Sequence, residues 1–385
     1  MDTVVNSQTN LVNEAAHPTS GAHDRCLFIL TPNDKKCGIE DFACVALSNL
    51  QRFHPDQGYA ALVVSGLWRD FPSVVRKIVR AKQIVFNVPL LPWRRLVVLP
   101  ISIALIANLC GCRVTVVMHE WPGLHRFRKL ALTPLLWLAE TVIVVSPLIA
   151  SELARVRALF GVRRKCRLIP NAPTIRRPSF QRVTERVLGV QNARSSCNIV
   201  IGTFGAIYRD KGTSALLDIC KHLQDRGIRA LCVFVGGFTK SIDGYEQEFW
   251  SKVEEYGIND RVIVTGYIAD AAELYTLFEQ IDAFVFLFSE GLTSRRSSVV
   301  HCLQSDRPIV VTTPMSTSEF AHHRHFMDQV NRGGLSFVDT NADLRTIADN
   351  VLAIAGAPRD TKAVLDPEIW WKTTTARTHA VLSES

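Results

Sequence analysis

Two stretches of the 385-residue chain place reactive or charged side chains beside glycines at the ends of apolar runs. The first is Phe286-Leu287-Phe288-Ser289-Glu290-Gly291-Leu292-Thr293-Ser294-Arg295-Arg296-Ser297-Ser298. An apolar strand ends there, a carboxylate and a glycine turn follow, and a helix is expected from Ser294 to Gln304. Free amides at such a start suit an anion or a sugar hydroxyl, and Arg295 and Arg296 add positive charge. The second is Gly202-Thr203-Phe204-Gly205-Ala206-Ile207-Tyr208-Arg209-Asp210-Lys211-Gly212. Its glycines let a ligand approach the backbone, and Lys211 can reach a diphosphate. Taken singly, a capped turn with two surface arginines and an exposed lysine would give the same residues.

Three further stretches lie earlier. Asn33-Asp34-Lys35-Lys36-Cys37-Gly38-Ile39-Glu40-Asp41 is a polar loop entering a helix, and His119-Glu120 follows the apolar run Val114–Met118. Leu168-Ile169-Pro170-Asn171-Ala172 ends the first half. A lone strand-end histidine also suits a structural role.

The elements that must position these residues alternate between short β-branched runs and helical stretches, the pattern of parallel sheets covered on both faces. Strands are expected at Cys26–Leu30, Ala60–Val64, Gln83–Phe86, Val114–Met118 and Val142–Val145. After a proline- and arginine-rich break the pattern restarts at Asn198–Thr203, Ala230–Val235, Val262–Thr265, Ala283–Leu287 and Pro308–Val311. The expected organisation is a tail over 1–24, a Rossmann-like domain over 25–170, a linker over 171–197, a second Rossmann-like domain over 198–355 and a closing segment over 356–385. Ligands of such sheets bind beyond the carboxyl ends of the strands, and with two halves the site is expected in a cleft between them.

Composition narrows the class. Hydrophobic residues make up 47% and charged residues 21%, which excludes a mostly disordered or fibrous chain. Ten cysteines form no C-x-x-C pair and mostly sit among aliphatic residues, as reduced thiols of a cytoplasmic protein would. Residues 1–24 are polar and show no secretory pattern; a disordered tail is expected. Leu96–Cys110 is apolar but short for a membrane span, so a buried or membrane-lying helix is expected. His322, His323 and His325 are read as surface histidines, and no metal site is expected.

The five stretches, in this order and spacing, resemble the retaining glycosyltransferases of family 4, the group 1 glycosyltransferases, over about residues 25–382. That resemblance implies an α/β fold of GT-B type, two facing Rossmann-like doubly wound domains with a cleft between them. It also implies a nucleotide-sugar donor as substrate, with no cofactor and no metal. By the resemblance, Lys211 binds the donor diphosphate, with Gly38, Arg209, Arg295 and Arg296 contributing. His119 and Glu290 are the catalytic pair, beside the donor sugar and on its hydroxyls. Gly205, Gly236, Gly237, Tyr267, Ile268, Gly291, Leu292, Thr293 and Ser298 line the donor sugar and nucleotide. Pro367-Glu368-Ile369-Trp370-Trp371 resembles the family's closing helix, which crosses back onto the first domain.

Two positions depart from the pattern. Ser298 stands where the family has a second glutamate, and Ala206 where it has an arginine. A branch of the family has a turn of the form G-x-S-x-R-R-x-S, which Gly291–Ser298 approximates. The implied function is transfer of a sugar from a UDP- or GDP-sugar, with retention, to a lipid-linked or polysaccharide acceptor in surface polysaccharide or glycolipid synthesis. A non-catalytic nucleotide-binding partner and a sugar-nucleotide epimerase are the alternatives. Between Trp121 and Arg182, twelve basic residues face only Glu140 and Glu152. That run, 121–182, is expected to meet an anionic membrane from the cytoplasmic side, whereas no nucleic-acid module accompanies it.

Overall fold

The computed structural model describes residues 25–32, 37–64, 71–90, 98–156, 161–239, 244–357 and 366–384. The expected tail, Asn33–Lys36 of the first loop, and Arg157, Leu159 and Phe160 of the basic run lie outside them, as do the side chains of Arg163 and Arg164. The chain divides into two compact units, one up to Thr174 and again from Glu368, the other from Ile175 to Pro367.

The first unit holds six parallel strands: β1 (Cys26–Leu30), β2 (Tyr59–Val63), β3 (Gln83–Val88), β4 (Arg113–Met118), β5 (Thr141–Val144) and β6 (Cys166–Leu168). Their spatial order is β2-β1-β3-β4-β5-β6. Every residue of β1 is buried, as befits a strand covered on both faces. Its side chains alternate: Leu27 and Ile29 join one apolar layer, Cys26, Phe28 and Leu30 the other. The chain runs from β1 outward to β2, then back past β1 to β3 and on to β6. Right-handed crossovers therefore put helix Gly38–Phe53 on one face and helices Phe71–Arg80, Val98–Leu109, Arg126–Leu138 and Pro147–Arg155 on the other. The closing helix Pro367–Ser383 joins this unit. Trp371 packs against Phe42 and Ala172, and its indole donates to the Pro173 carbonyl at 2.6 Å.

The second unit is also a sheet of six parallel strands, in a different order: β7 (Ile199–Phe204), β8 (Ala230–Val235), β9 (Val262–Val264), β10 (Ala283–Phe286), β11 (Ile309–Thr312) and β12 (Leu335–Val338). The order is β12-β11-β10-β7-β8-β9. From β7 the chain steps one way to β8 and β9, and from β10 the other way to β11 and β12. Strand order thus reverses between β7 and β10, and the crevice at their carboxyl ends is where such sheets bind ligands. The Gly205–Lys211 loop leaves β7 there, and the Leu287–Arg296 loop leaves β10.

Several expectations need correction. The helix after β10 spans Ser297–Leu303, so Gly291 to Arg296 form a loop held from outside, not a helix start. The stretch expected as linker contains a helix, Glu185–Arg194: the Thr184 hydroxyl caps it by accepting from the Val187 amide, and Val187 and Val190 are buried. The basic run 121–182 is not one surface of the first unit. From Ile175 it belongs to the second, where Arg177 pairs with Glu279 and Asp306, each at 2.8 Å, and Arg182 with Asp270 at 2.7 Å. His323 is fully buried, its ring accepting from the Phe326 amide to cap helix Arg324–Asn331. Among the described residues no helix is long and apolar enough to cross a membrane.

Candidate functional site

Glycines at the strand ends of the second unit bring its loops into direct backbone contact. Gly205 has φ +104° and donates to the Val235 carbonyl at 2.9 Å, while Ile207 donates to Gly237 at the same distance. A Cβ on Gly236 would lie 2.2 Å from the Gly205 carbonyl oxygen. The Thr265 hydroxyl accepts from the Gly236 amide at 3.1 Å, and Gly266 donates to the Gly236 carbonyl at 3.0 Å. The ends of β7, β8 and β9 thereby form one surface that carries Gly205, Gly236, Gly237, exposed Tyr267 and buried Ile268.

Lys211 comes back onto the end of β7. Its ammonium donates to the Phe204 carbonyl at 2.7 Å, and only 6% of the residue is exposed. A Cβ on Gly205 would sit 2.8 Å from that ammonium and 3.7 Å from the Ser298 Cβ, so these three residues share one corner. Gly212 allows the return: its φ is +68°, and a Cβ there would lie 2.1 Å from the Leu287 carbonyl oxygen. Burial, followed by the Arg296 charge, pushes the Lys211 pKa down to about 7.

The loop after β10 adds two guanidinium groups. Arg295 and Arg296 both donate to Glu290 Oε1, and Arg296 also lies over the Phe288 ring, 4.4 Å from its centroid. Burial of Arg295, then the Arg296 charge, lowers its pKa to about 10. Glu319, which sequence reading missed, fixes the loop from below: it is buried and accepts from the Ser294 amide at 2.8 Å and hydroxyl at 2.9 Å. Gly291 has φ +70°, with the Thr313 carbonyl where a Cβ would be, and Leu292 donates to Thr312 at 3.0 Å. Buried Thr293 keeps a hydroxyl without a hydrogen-bond partner, and half-buried Arg296 a buried Nε without one. Lys211, Arg295 and Arg296 thus converge with Glu290 as the carboxylate that two of them share. Arg209 is directed elsewhere, to Glu248 at 2.6 Å and over the Tyr245 ring.

The expected residues of the first unit have a different character. His119 is half-buried at the end of β4 and donates from Nε2 to the Asn87 Oδ1 at 3.0 Å. Burial depresses its pKa to about 3, so the ring is neutral and Nδ1 carries the lone pair. Phe42 packs edge-on against it at 4.8 Å. Gly38 opens helix Gly38–Phe53 with nothing within 4 Å of a would-be Cβ. Two turns of sequence signal were passed over here: Asn87, next to Val88 on the neighbouring strand end, and Glu40. Glu40 is buried, accepts from the Thr31 amide at 2.6 Å, and is pushed up to about 7 by burial. Among the described residues no group of three or more His, Cys, Asp or Glu could hold a metal ion.

Residues 198–356 match the family described as Glycosyl transferases group 1. The second unit therefore carries a group 1 glycosyltransferase domain. No curated protein matches the chain by sequence. Among solved structures, HepE from Anabaena in complex with UDP and glucose is similar at 15% identity, over 94% of this chain and 100% of that one, with a TM-score of 0.59. A glycosyltransferase from Rickettsia africae is similar at 11% identity, over 94% and 99%, with the same TM-score. Sucrose-phosphate synthase from Thermosynechococcus elongatus follows at 14%, over 93% and 94%, with a TM-score of 0.56. These likenesses show the GT-B fold, and with the domain match the protein is a glycosyltransferase.

Proposed function

We propose that this glycosyltransferase moves a sugar from a UDP- or GDP-sugar, with retention, to a lipid-linked or polysaccharide acceptor in surface polysaccharide or glycolipid synthesis. The observation that carries the donor assignment is the convergence of buried Lys211 with Arg295 and Arg296 at the strand-order reversal. A diphosphate laid across Lys211 and Arg296 meets two cations in a site largely closed to water, where charge counts for most. HepE was crystallised with UDP and with UDP-glucose, which supports a uridine nucleotide as the first donor to try.

The chemistry follows from that placement. As the glycosidic bond breaks, negative charge grows on the departing phosphate, and Lys211 and Arg296 stabilise it. None of the named site residues is placed as a covalent nucleophile. Retention then follows from attack by the acceptor hydroxyl on the leaving-group face, with a departing phosphate oxygen taking the hydroxyl proton. Glu290 exchanges one of its guanidinium partners for sugar hydroxyls, beside the amides of Gly291, Leu292 and Thr293. Gly205, Gly236, Gly237, Tyr267 and Ile268 serve base and ribose. His119, neutral, offers a hydrogen-bond acceptor to the donor sugar; Gly38 assists the diphosphate, Ser298 takes the ribose position, and Arg209, turned to Glu248, has no part. No cofactor or metal has a part in this scheme.

One observation favours the second reading, a non-catalytic nucleotide-binding partner: two arginines already donate to Glu290 Oε1. Thermal-shift titration with UDP, GDP and ADP, followed by product analysis with the matching sugar nucleotides, separates the two. Stabilisation plus sugar release or transfer supports the enzyme, and stabilisation without turnover supports the partner.

A further inference from the structure

Three helices of the first unit, Phe71–Arg80, Val98–Leu109 and Arg126–Leu138, contain no aspartate or glutamate. They carry Arg76, Lys77, Arg80, Arg126, Arg128 and Lys129. The helices neighbour one another on a single face of the β2-β1-β3-β4-β5-β6 sheet. Between Phe71 and Leu138 the one acid is Glu120, which lies in the loop before the last helix and accepts from the Gly123 amide at 3.1 Å.

The same face exposes large apolar side chains at helical spacing. Phe127, Leu130 and Trp137 are 71%, 70% and 56% exposed along one helix, and Val98, Leu105 and Leu109 line its neighbour. Asn108 Nδ2 donates to the Leu138 carbonyl at 2.9 Å, which ties the two helices together near their carboxyl ends. Of the fifteen exposed large hydrophobic residues among those described, six fall on these two helices. Scattered apolar side chains on a surface are ordinary, but a concentration on one basic face is not. A solvated basic surface explains the charge and leaves the apolar stripes unaccounted for. A second copy meeting this face through a two-fold axis would set basic residues against basic residues. A nucleic acid would meet the charge and leave the aliphatic side chains in water.

We propose that this three-helix face docks on an anionic lipid bilayer, its apolar stripes entering the headgroup boundary and its basic side chains meeting lipid phosphates. The proposal rests on the reading of a lipid-linked acceptor and moves the membrane contact from the 121–182 run to a surface that begins at Phe71. Helix Val98–Leu109, with 12 residues, is too short to span and suited to lie in the boundary.

Co-sedimentation of the full chain with vesicles tests this. Binding is expected with equal parts phosphatidylglycerol and phosphatidylcholine, weakening as salt is raised, and near absence with phosphatidylcholine alone. Replacing Arg76, Lys77 and Arg80 together by Gln should weaken binding on the order of 100-fold, at about 1 kcal/mol per basic residue. Leu105→Ser, Leu130→Ser and Trp137→Ser together should weaken it at every salt concentration. Both variants alter exposed side chains, so melting temperature and stabilisation by UDP should match the unaltered protein. No binding to anionic vesicles, or unchanged binding in both variants, would overturn the proposal, as would self-association lost in the Ser variant without vesicle binding. Loss of nucleotide stabilisation in the unaltered protein would instead strike at the donor reading and leave the vesicle result standing.

Discussion

Both units are six-stranded parallel sheets, but they differ in strand order and in what they do to charge at their strand ends. At the ends of β7 and β10 the second unit gathers Lys211, Arg295 and Arg296, with Glu290 shared by the two arginines. At the corresponding edge of the first unit, burial drives His119 to a neutral ring and Glu40 toward a neutral carboxyl. One unit gathers basic side chains at its strand ends, the other groups that burial holds toward neutrality. The backbone makes the same distinction. Gly212, Gly236 and Gly291 stand where a neighbouring carbonyl leaves no room for a Cβ, whereas Gly38 meets nothing.

Breaking the cationic side should have the largest effect. Lys211→Ala should lower kcat/KM for sugar transfer by about 10³-fold and Arg296→Ala by about 10²-fold, as loss of transition-state charge stabilisation does elsewhere. Initial rates with the donor that the nucleotide panel selects are the check, with melting temperature to show that each variant folds. Equal losses from Arg209→Ala, whose guanidinium is turned to Glu248, would blur the contrast.

The backbone contrast comes next. Gly212→Ala should destabilise the second unit by roughly 2–4 kcal/mol, because it combines a left-handed φ with a carbonyl 2.1 Å from the new methyl. Gly38→Ala should stay within about 0.5 kcal/mol of the unaltered protein. Urea denaturation of both variants measures the difference, and similar costs would contradict it.

Charge state gives a smaller, graded effect. In the ligand-free protein Lys211 loses its proton as pH rises through about 7, and a bound diphosphate favours the charged form. Binding above that pH therefore takes up a proton, so donor affinity should fall by about tenfold per pH unit between pH 7 and the higher pKa of the complex. A sugar nucleotide does not titrate in that range, and Lys211→Gln should flatten the slope.

Acid stability sharpens the contrast at the other unit. His119 has a folded-state pKa near 3, depressed below its unfolded value near 6.5. The unfolded chain binds the proton first, so this site weakens the fold as pH drops below 6.5 toward 3. His119→Asn should shift the acid-side melting curve upward relative to neutral pH by a few degrees, with transfer reduced but nucleotide stabilisation kept.

Much of this was legible in the sequence because the relevant signals are local. β1 and β8 fall where their apolar runs begin and end, and the Lys211-Gly212 and Glu290-Gly291 pairs announce turns at strand ends. What escaped depends on partners far along the chain. Glu319 reaches back 25 residues to hold Ser294, and Asn87 meets His119 only because β3 and β4 pair. The helix start expected at Ser294 moved to Ser297 because Glu319 and Thr312 take the preceding amides instead. Helix Glu185–Arg194 was obscured by its arginines, although Thr184 and the Val187–Val190 spacing marked it. The charge of the 121–182 run falls mostly in the first unit, as expected, but Arg177 and Arg182 find carboxylates of the second, a pairing that net charge does not disclose.

The central claim is that Lys211 and Arg296 hold a nucleotide diphosphate. Calorimetric titration with UDP and with GDP, on the unaltered protein and on Lys211→Ala, tests it most directly. Binding of at least one nucleotide that weakens by about 100-fold in the variant is the predicted result. Binding of neither nucleotide, or equal affinity in both proteins, would contradict it.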